Sequence, residues 1–403
     1  MKASAMSQVM NAPRAATTIY PILLVASLGH FINDVTQSLL PASYPVLKAG
    51  FALSFAQLGV LTFVYQVTAS ILQPFVGWYT DGKPQPYSLP FGMACSCAGM
   101  VTLGFAPNYS VLVMGAVLLG FGSSIFHPEA SRIARLASGG KHGFAQSVFQ
   151  VGGNFGTSLG PLLAAFFILP HGQRGMALLA ILAFIGILIL SGLGRWYHMH
   201  GQSLRAPAKS GRKHKALSLS RTRIGIAIAV LIALIFSKYF YLASFTSYYN
   251  FYLMDRFGLS ERSAQLCQFV FFAAVAFGTM IGGPVGDRIG RKKVIWGSIL
   301  GILPFTIVLP HASLEVTVIL SAIIGTVIAS AFSAIVVYAQ ELMPGRVGMV
   351  SGLFFGFAFG MGGIGAAALG ALADRTSIEF VFELCAFLPL IGLLTILLPN
   401  VED

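Results

Sequence analysis

The chain has 403 residues, 56% of them hydrophobic and 9% charged, with 33 Phe and a mean hydropathy of +0.79. A soluble domain carries roughly 25% charged residues, so this composition excludes a water-coated globule and leaves an integral membrane protein. The formal charge of +12 does not point to nucleic acid, because the basic residues collect in short loops between apolar segments, where they orient a membrane chain.

Taken in order, residues 1–18 are polar and lack the apolar run and small-residue cleavage site of a signal peptide. Reading onward for runs of about 20 apolar residues gives segments 19–44, 58–77, 87–106, 109–126, 144–169 and 176–194. A polar stretch rich in Ser, Gly, Pro and basic residues follows at 195–223. Beyond it come segments 224–252, 264–284, 294–310, 317–338, 347–372 and 379–398. The expected fold is an all-α membrane protein of twelve transmembrane helices. It divides into an N-terminal six-helix bundle (1–194), a basic cytoplasmic linker (195–223) and a C-terminal six-helix bundle (224–403). Cys95, Cys97, Cys267 and Cys385 all fall within apolar segments and form no disulfide or zinc pattern.

Orientation follows from Lys and Arg. With the N-terminus inside, nineteen of them fall in cytoplasmic loops and five (Lys48, Arg174, Arg256, Arg262, Arg375) on the opposite side. The expectation is therefore a multi-pass protein with both termini cytoplasmic. The halves also echo one another: Phe51-Ala-Leu-Ser54 matches Phe257-Gly-Leu-Ser260, and Gly77 with Asp81 matches Gly283 with Asp287 at the same offset. Six-helix repeats around a central cavity are a transporter architecture.

Two motifs stand in the loops and helices. In GGPVGDRIGRKK (282–293) a carboxylate at a helix end precedes clustered basic residues, an arrangement that can hold one face closed by pairing with nearby helix termini or that serves only as the positive charge of a cytoplasmic loop. Asp287, Arg288, Gly290 and Arg291 carry the spacing. GWYTDGKPQP in the first half retains Gly77 and Asp81 but has Gly82 where the second copy has Arg. In the fifth segment Gly156, Gly160 and Pro161 are followed by Ala164 and Ala165. Small residues there allow close helix contact, and Pro removes a backbone donor.

The loop motif resembles that of the major facilitator superfamily, and the Gly-Pro motif is similar to that of its drug-exporting members. One feature of those exporters, an Arg in the fourth helix before a Gly-x-Gly pair, is replaced by Ala116 ahead of Gly120 and Gly122. From about residue 18 to 399, runs such as SIFHPEASRIARLASGG (124–140), QSVFQVGGNFGTSLGPLLAA (146–165) and QELMPGRVGMVSGLFFGFAFGMGG (340–363) resemble a bacterial branch of the superfamily that exports a phosphonate antibiotic. The resemblance implies a proton-driven exporter of the inner membrane.

Ionisable residues inside membrane helices are costly and mark functional sites. Deep in the segments stand His30, Asp34 and Lys238. Asp34 lies fifteen residues into the first segment and Lys238 fourteen into the seventh, hence at similar depth. Both are expected to face the cavity, as a permanent ion pair or as a proton-binding acid and an attractor of anionic cargo. His30 sits one turn before Asp34 on the same face. Tyr239, Tyr241, Ser244 and Asn250 supply polar groups near Lys238, while Tyr248 and Tyr249 read as interfacial tyrosines. Gln150 and Asn154 form a second polar stripe, and Gln66 is a further candidate. His127, Glu129 and Arg132 mark the cytoplasmic end of the fourth helix, as a local ion pair or a proton-release site. Glu341 with Arg346 is the second-half counterpart.

His127 and Glu129 with His142 lack a His-Glu-x-x-His pattern or a carboxylate cluster, so neither a metal site nor a membrane enzyme is expected. No cofactor is expected beyond the proton gradient as energy source. The expected partners are a small-molecule substrate and the lipid bilayer, with the chain as a monomer. An uptake carrier for organic phosphates shares these features and remains the alternative to export.

Overall fold

The structure is a computed structural model describing residues 18–82, 85–139, 142–200, 220–343 and 347–400. All its secondary structure is helical, and no strand occurs among the described residues. The first half comprises α1 (Tyr20–Ala42), α2 (Tyr44–Phe51), α3 (Phe55–Gly82), α4 (Ser88–Gly104), α5 (Tyr109–Leu136), α6 (His142–Leu163) and α7 (Arg174–His200). The second comprises α8 (Arg221–Phe257), α9 (Glu261–Ile289), α10 (Arg291–Ile299), α11 (Leu314–Ala329), α12 (Ala331–Leu342), α13 (Val347–Arg375) and α14 (Ile378–Cys385). Short helical turns extend α10 to His311 and follow α14 to Leu397.

Ten helical stretches among the described residues are long and apolar enough to cross a membrane. Two others differ for physical reasons. Helix α4 has 17 residues, and α1 carries His30, Asn33, Thr36, Gln37 and Ser38, all buried against protein rather than lipid. Several helices outrun the apolar segments read from the sequence. Helix α5, for instance, continues past the apolar stretch to Leu136, because charged side chains of its last turns find polar partners on α3.

Local chemistry sets the ends. Asn108, Ser220 and Ser377 each accept the backbone N–H three residues on and so start α5, α8 and α14. The repeated loop sequences share one geometry. Ala52 (φ +50°) and Gly258 (φ +65°) end α2 and α8 in the left-handed region. Ser54 and Ser260 then accept from the backbone N–H of Gln57 and Ser263. Inside α6, Pro161 precedes a π-helical turn over Ala164–Ile168, where the missing donor loosens the hydrogen-bond ladder.

Packing divides the molecule unevenly. One apolar cluster spans both halves, joining Leu39, Tyr44, Leu58 and Leu61 to Phe245, Tyr248, Phe251 and Ala366. Two others are private. Leu23, Phe126, Phe149 and Tyr197 belong to a cluster drawn from the first half, and Leu231, Ile335, Phe354 and Leu398 to one drawn from the second. The halves therefore share a core at one end and separate at the other. At the shared end α3 runs antiparallel along α13: a side chain on Gly59 would strike the Ala366–Ala367 backbone, and one on Gly363 would crowd Phe63 and Gln66. Farther along α13, Gly356 and Gly360 face open space.

Polar bonds seal the shared end. The Asp374 carboxylate at the end of α13 accepts the backbone N–H groups of Phe55 and Ala56 at the start of α3, both at 2.8 Å. The Tyr248 hydroxyl of α8 lies 3.3 Å from the Phe55 carbonyl of the first half while donating to the Ala366 carbonyl of its own half at 2.6 Å, and Gln265 Nε2 donates to the Ala42 carbonyl of the first half at 2.6 Å. The helix ends that border the loops read as basic and cytoplasmic lie at the opposite, separated end.

Candidate functional site

The polar middle of α1 meets α5 and α6 in a buried cluster. His30 Nε2 lies 3.3 Å from Asp34 Oδ2, and His127 Nε2 of α5 lies 3.6 Å from Asp34 Oδ1. His30 Nδ1 is 2.8 Å from the Phe149 carbonyl of α6, and the imidazole stacks on the Phe149 ring with centroids 4.0 Å apart. His127 Nδ1 lies 3.1 Å from the Ser123 carbonyl and 3.2 Å from its hydroxyl. Asn33 donates to Asp34 Oδ1 at 2.9 Å. Close approach of α6 makes this possible: side chains on Gly152 or Gly156 would run into Ser27 or Phe31 of α1, and one on Gly153 would meet His30 Nε2 at 2.5 Å and Asp34 Oδ2 at 2.7 Å. Gly160 abuts Ser38 in the same way, so Gly156 and Gly160 act first as helix-packing positions.

Asp34 and His127 open onto a cavity of about 110 Å³, walled by Gln37 and Ser38 of α1, Tyr65, Gln66 and Gln73 of α3, Thr157 of α6 and Phe359 of α13. A second cavity of about 100 Å³ shares Gln37, Ser38, Tyr65 and Gln66 and reaches Pro161, Ser247 and Gln268 toward the sealed end. The Tyr65 hydroxyl donates to Gln37 Oε1. Gln37 is 6% exposed, and its Nε2 has no hydrogen-bond partner among the described residues. A buried amide donor left open on a cavity wall is a ready partner for an oxygen of a bound molecule.

The other sequence candidates fall elsewhere. Lys238, 3% exposed, has its Nζ 5.4 Å from the Phe332 ring centroid and 5.7 Å from that of Tyr239. No carboxylate of the described residues pairs with it, so a permanent Asp34–Lys238 ion pair is absent among them. Tyr239 packs on Phe332, and Tyr241 turns into the shared core beside Phe245. Gln150 and Asn154 are half-buried on α6 and line neither cavity. Tyr248 and Tyr249 are fully buried rather than interfacial; one seals the halves and the other packs among Phe245, Phe271 and Phe382.

At the separated end, Glu129 is 1% exposed and pairs with Arg132 at 3.1 Å. Arg132 also donates to the Thr80 carbonyl at 2.7 Å, the Thr80 hydroxyl at 2.9 Å and the Gly77 carbonyl at 3.3 Å. The pair thus ties α5 to the end of α3 that bears the first-half loop motif. In the second half Arg291 of α10 pairs with Glu341 of α12. Arg346, the partner expected for Glu341, lies outside the described residues. Gly290 has φ +95° and turns the chain from α9 into α10, a conformation that other residues resist. Arg288 is exposed at the end of α9. Asp81 and Asp287 lie in the last turns of α3 and α9, and their side chains, like that of His142, fall outside the described residues.

No metal ligands are expected from the sequence, yet the ligand atoms of His30, Asp34 and His127 lie within 4.8 Å of one another. Donor type alone would admit a divalent cation there.

Residues 26–260 and 231–403 match the Major Facilitator Superfamily. The chain belongs to that superfamily. Its major-facilitator fold is shared with solved structures: a bacterial homologue of the human lysosomal transporter Spinster, inward-facing and occupied (TM-score 0.70, 16% identity, 94% of each chain), and the nucleoside transporter NupG (TM-score 0.71, 12% identity, 93% of this chain and 98% of that one). Two relatives match over nearly their full length. The Fosmidomycin resistance protein of Escherichia coli K12 is 56% identical over 96% of this chain and 94% of its own. The uncharacterized transporter YfnC of Bacillus subtilis 168 is 41% identical over 96% and 95%. The protein is a multi-pass membrane transporter of the major facilitator superfamily and not an enzyme.

Proposed function

We propose that this transporter exports small anionic or amphiphilic compounds of the fosmidomycin kind across the bacterial inner membrane, driven by the proton gradient through alternating access. The chain crosses the membrane twelve times, with α1 and α4 among the spans, both termini cytoplasmic and the shared core outermost. It acts as a monomer without a cofactor. One observation carries the reading: a polar cavity between the halves has an ionisable residue, Asp34, in its wall and an unpartnered Gln37 amide beside it. The 56% identity to the Fosmidomycin resistance protein supports the cargo class.

In this reading Asp34 carries the proton that moves inward in exchange for cargo, and His127 and Glu129 relay it toward the cytoplasmic end. Lys238 raises the local potential for anionic cargo, and Gln37, Gln66 and Tyr65 hold its oxygens. The loop-motif acids Asp81 and Asp287 are assigned, with the Arg291–Glu341 pair, to holding and releasing the cytoplasmic face. Accumulation of fosmidomycin in cells with and without the protein, and with and without a protonophore, tests direction and coupling together. Lower accumulation that a protonophore reverses is the expected result. Higher accumulation in expressing cells would replace export by uptake or exchange of organic phosphates. Lys238→Ala should weaken binding of fosmidomycin to the purified protein by about tenfold, on the order of 1.4 kcal/mol. Unchanged affinity would remove Lys238 from the cargo site.

A further inference from the structure

The hydrogen bonds around His30 restrict where protons can sit. A backbone carbonyl only accepts, so the 2.8 Å contact with the Phe149 carbonyl requires a proton on His30 Nδ1. In the neutral ring Nε2 is then a bare lone pair, and it faces Asp34 Oδ2 at 3.3 Å. Two acceptors facing each other at this distance repel, because 3.3 Å leaves no room for a water between them. The contact is satisfied only when one proton lies between them, on Nε2 with an ionised Asp34 or on Asp34 with a neutral ring. His127 is not so restricted. Its Nδ1 can donate to the Ser123 carbonyl at 3.1 Å or, as a bare lone pair, accept from the Ser123 hydroxyl at 3.2 Å, so the neutral ring can take either tautomer, and in the second its Nε2–H donates to Asp34 Oδ1.

From this asymmetry we infer that the transported proton is held jointly by His30 and Asp34 as one two-residue carrier, with His127 as the adjustable donor through which it exchanges with the cavity. The inference rests on the proton-coupled reading above and names a carrier that reading leaves to Asp34 alone. Loaded, the pair is neutral and its contact is satisfied. Emptied, it is anionic, and a lone pair faces the carboxylate; this mismatch favours reloading or a rearrangement of α1 against α6. The charged and titratable groups around the pair are few. Helix α5 offers His127 and, beyond it, the Glu129–Arg132 ion pair. Helix α3 offers Tyr65 on the cavity wall, and α13 offers the Phe359 ring. Helix α6 presents the Phe149 carbonyl and the bare backbone of Gly153, and the nearest cation on α8 is Lys238, lodged against aromatic rings.

The test is a double-mutant cycle on the full-length protein in proteoliposomes, reading proton movement per fosmidomycin transported, in whichever direction transport runs. His30→Asn keeps an amide donor for the Phe149 carbonyl but removes Nε2. His30→Asn and Asp34→Asn should each abolish proton movement while retaining fosmidomycin–fosmidomycin exchange, and the double variant should lose no more than either single one, as for residues acting as a unit. His127→Gln should slow coupled transport several-fold and keep its proton ratio. The inference is overturned if His30→Asn keeps the wild-type proton ratio, if the two losses are independent, or if a stoichiometric metal ion co-purifies and its chelation stops transport. Transport by the unaltered protein without any proton movement would overturn the coupled reading as well, which separates the two failures.

Discussion

Gly153 is the smallest participant in the site and one of the most constrained. Its missing side chain leaves room for His30 Nε2 and Asp34 Oδ2, which a Cβ would approach to 2.5 and 2.7 Å. Both neighbours are held, His30 by its stack on Phe149 and its bond to the Phe149 carbonyl, so they cannot step aside cheaply. Gly153→Ala should leave expression and monodispersity near those of the unaltered protein and lower coupled transport at least about tenfold, as misplacement of a reacting group by about an ångström commonly does. Retention of normal transport would show that the contact between His30 and Asp34 tolerates displacement. At this scale the sequence reveals charge and conceals amides. His30 and Asp34 are conspicuous because ionisable groups are rare in apolar helices. Gln37, Tyr65 and Gln73 complete the cavity wall but are uncharged and cost less to bury, so nothing in composition singles them out. Their spacing was the available signal: Gln37 is three residues after Asp34, and Gln66 and Gln73 are two helical turns apart. Lys238 shows the converse, since similar depth in two repeat-related helices does not ensure that two side chains meet.

Helices α3 and α13 carry the seal between the halves. The Asp374 carboxylate completes two of the four backbone N–H groups that the start of α3 leaves without helical partners. A cap of this kind contributes about 1 kcal/mol, here to the contact between two bodies rather than to one helix. Asp374→Ala should therefore favour opening of the sealed end by about fivefold, the ratio that corresponds to about 1 kcal/mol. Ser247→Cys, in the cavity behind the seal, provides the readout. Its labelling by an impermeant maleimide added on the side of the sealed end should rise by that factor when combined with Asp374→Ala, and an unchanged rate would assign the seal to the apolar contacts alone. Helix positions were broadly evident in the apolar segments. Helix ends were less so, because α5 is prolonged by the Glu129–Arg132 pair and its bonds to Gly77 and Thr80, which depend on neighbours 55 and 52 residues away in sequence. That extension also changes the setting of His127, expected at a helix terminus and found beside Asp34 on a cavity wall.

The whole molecule is organised by one shared core and two private ones. Charge asymmetry in the loops, internal repeats and the major-facilitator motifs were all readable as a two-part transporter. The sharing of the core was not, because it depends on which faces of α3, α8, α9 and α13 meet across the halves. Tyr248 is the plainest case. Near a helix end a tyrosine reads as an interfacial anchor, but its hydroxyl instead donates to the Ala366 carbonyl of α13 and lies 3.3 Å from the Phe55 carbonyl of the opposing half at the seal.

The antiparallel contact of α3 with α13 ends near Gln66 and Gly363, and mechanically that makes it a fulcrum. Beyond it α3 extends from 67 to 82, an arm of about 24 Å at ~1.5 Å per residue. A rocking of about 20° around the fulcrum would carry the arm's tip through about 8 Å, a width that admits a small molecule, while atoms at the pivot shift by little more than a bond length. In the proposed cycle, leverage of this kind would let a sub-ångström adjustment between α1 and α6, set by one proton, be read out as the opening or closing of a mouth at the far end of the bundle.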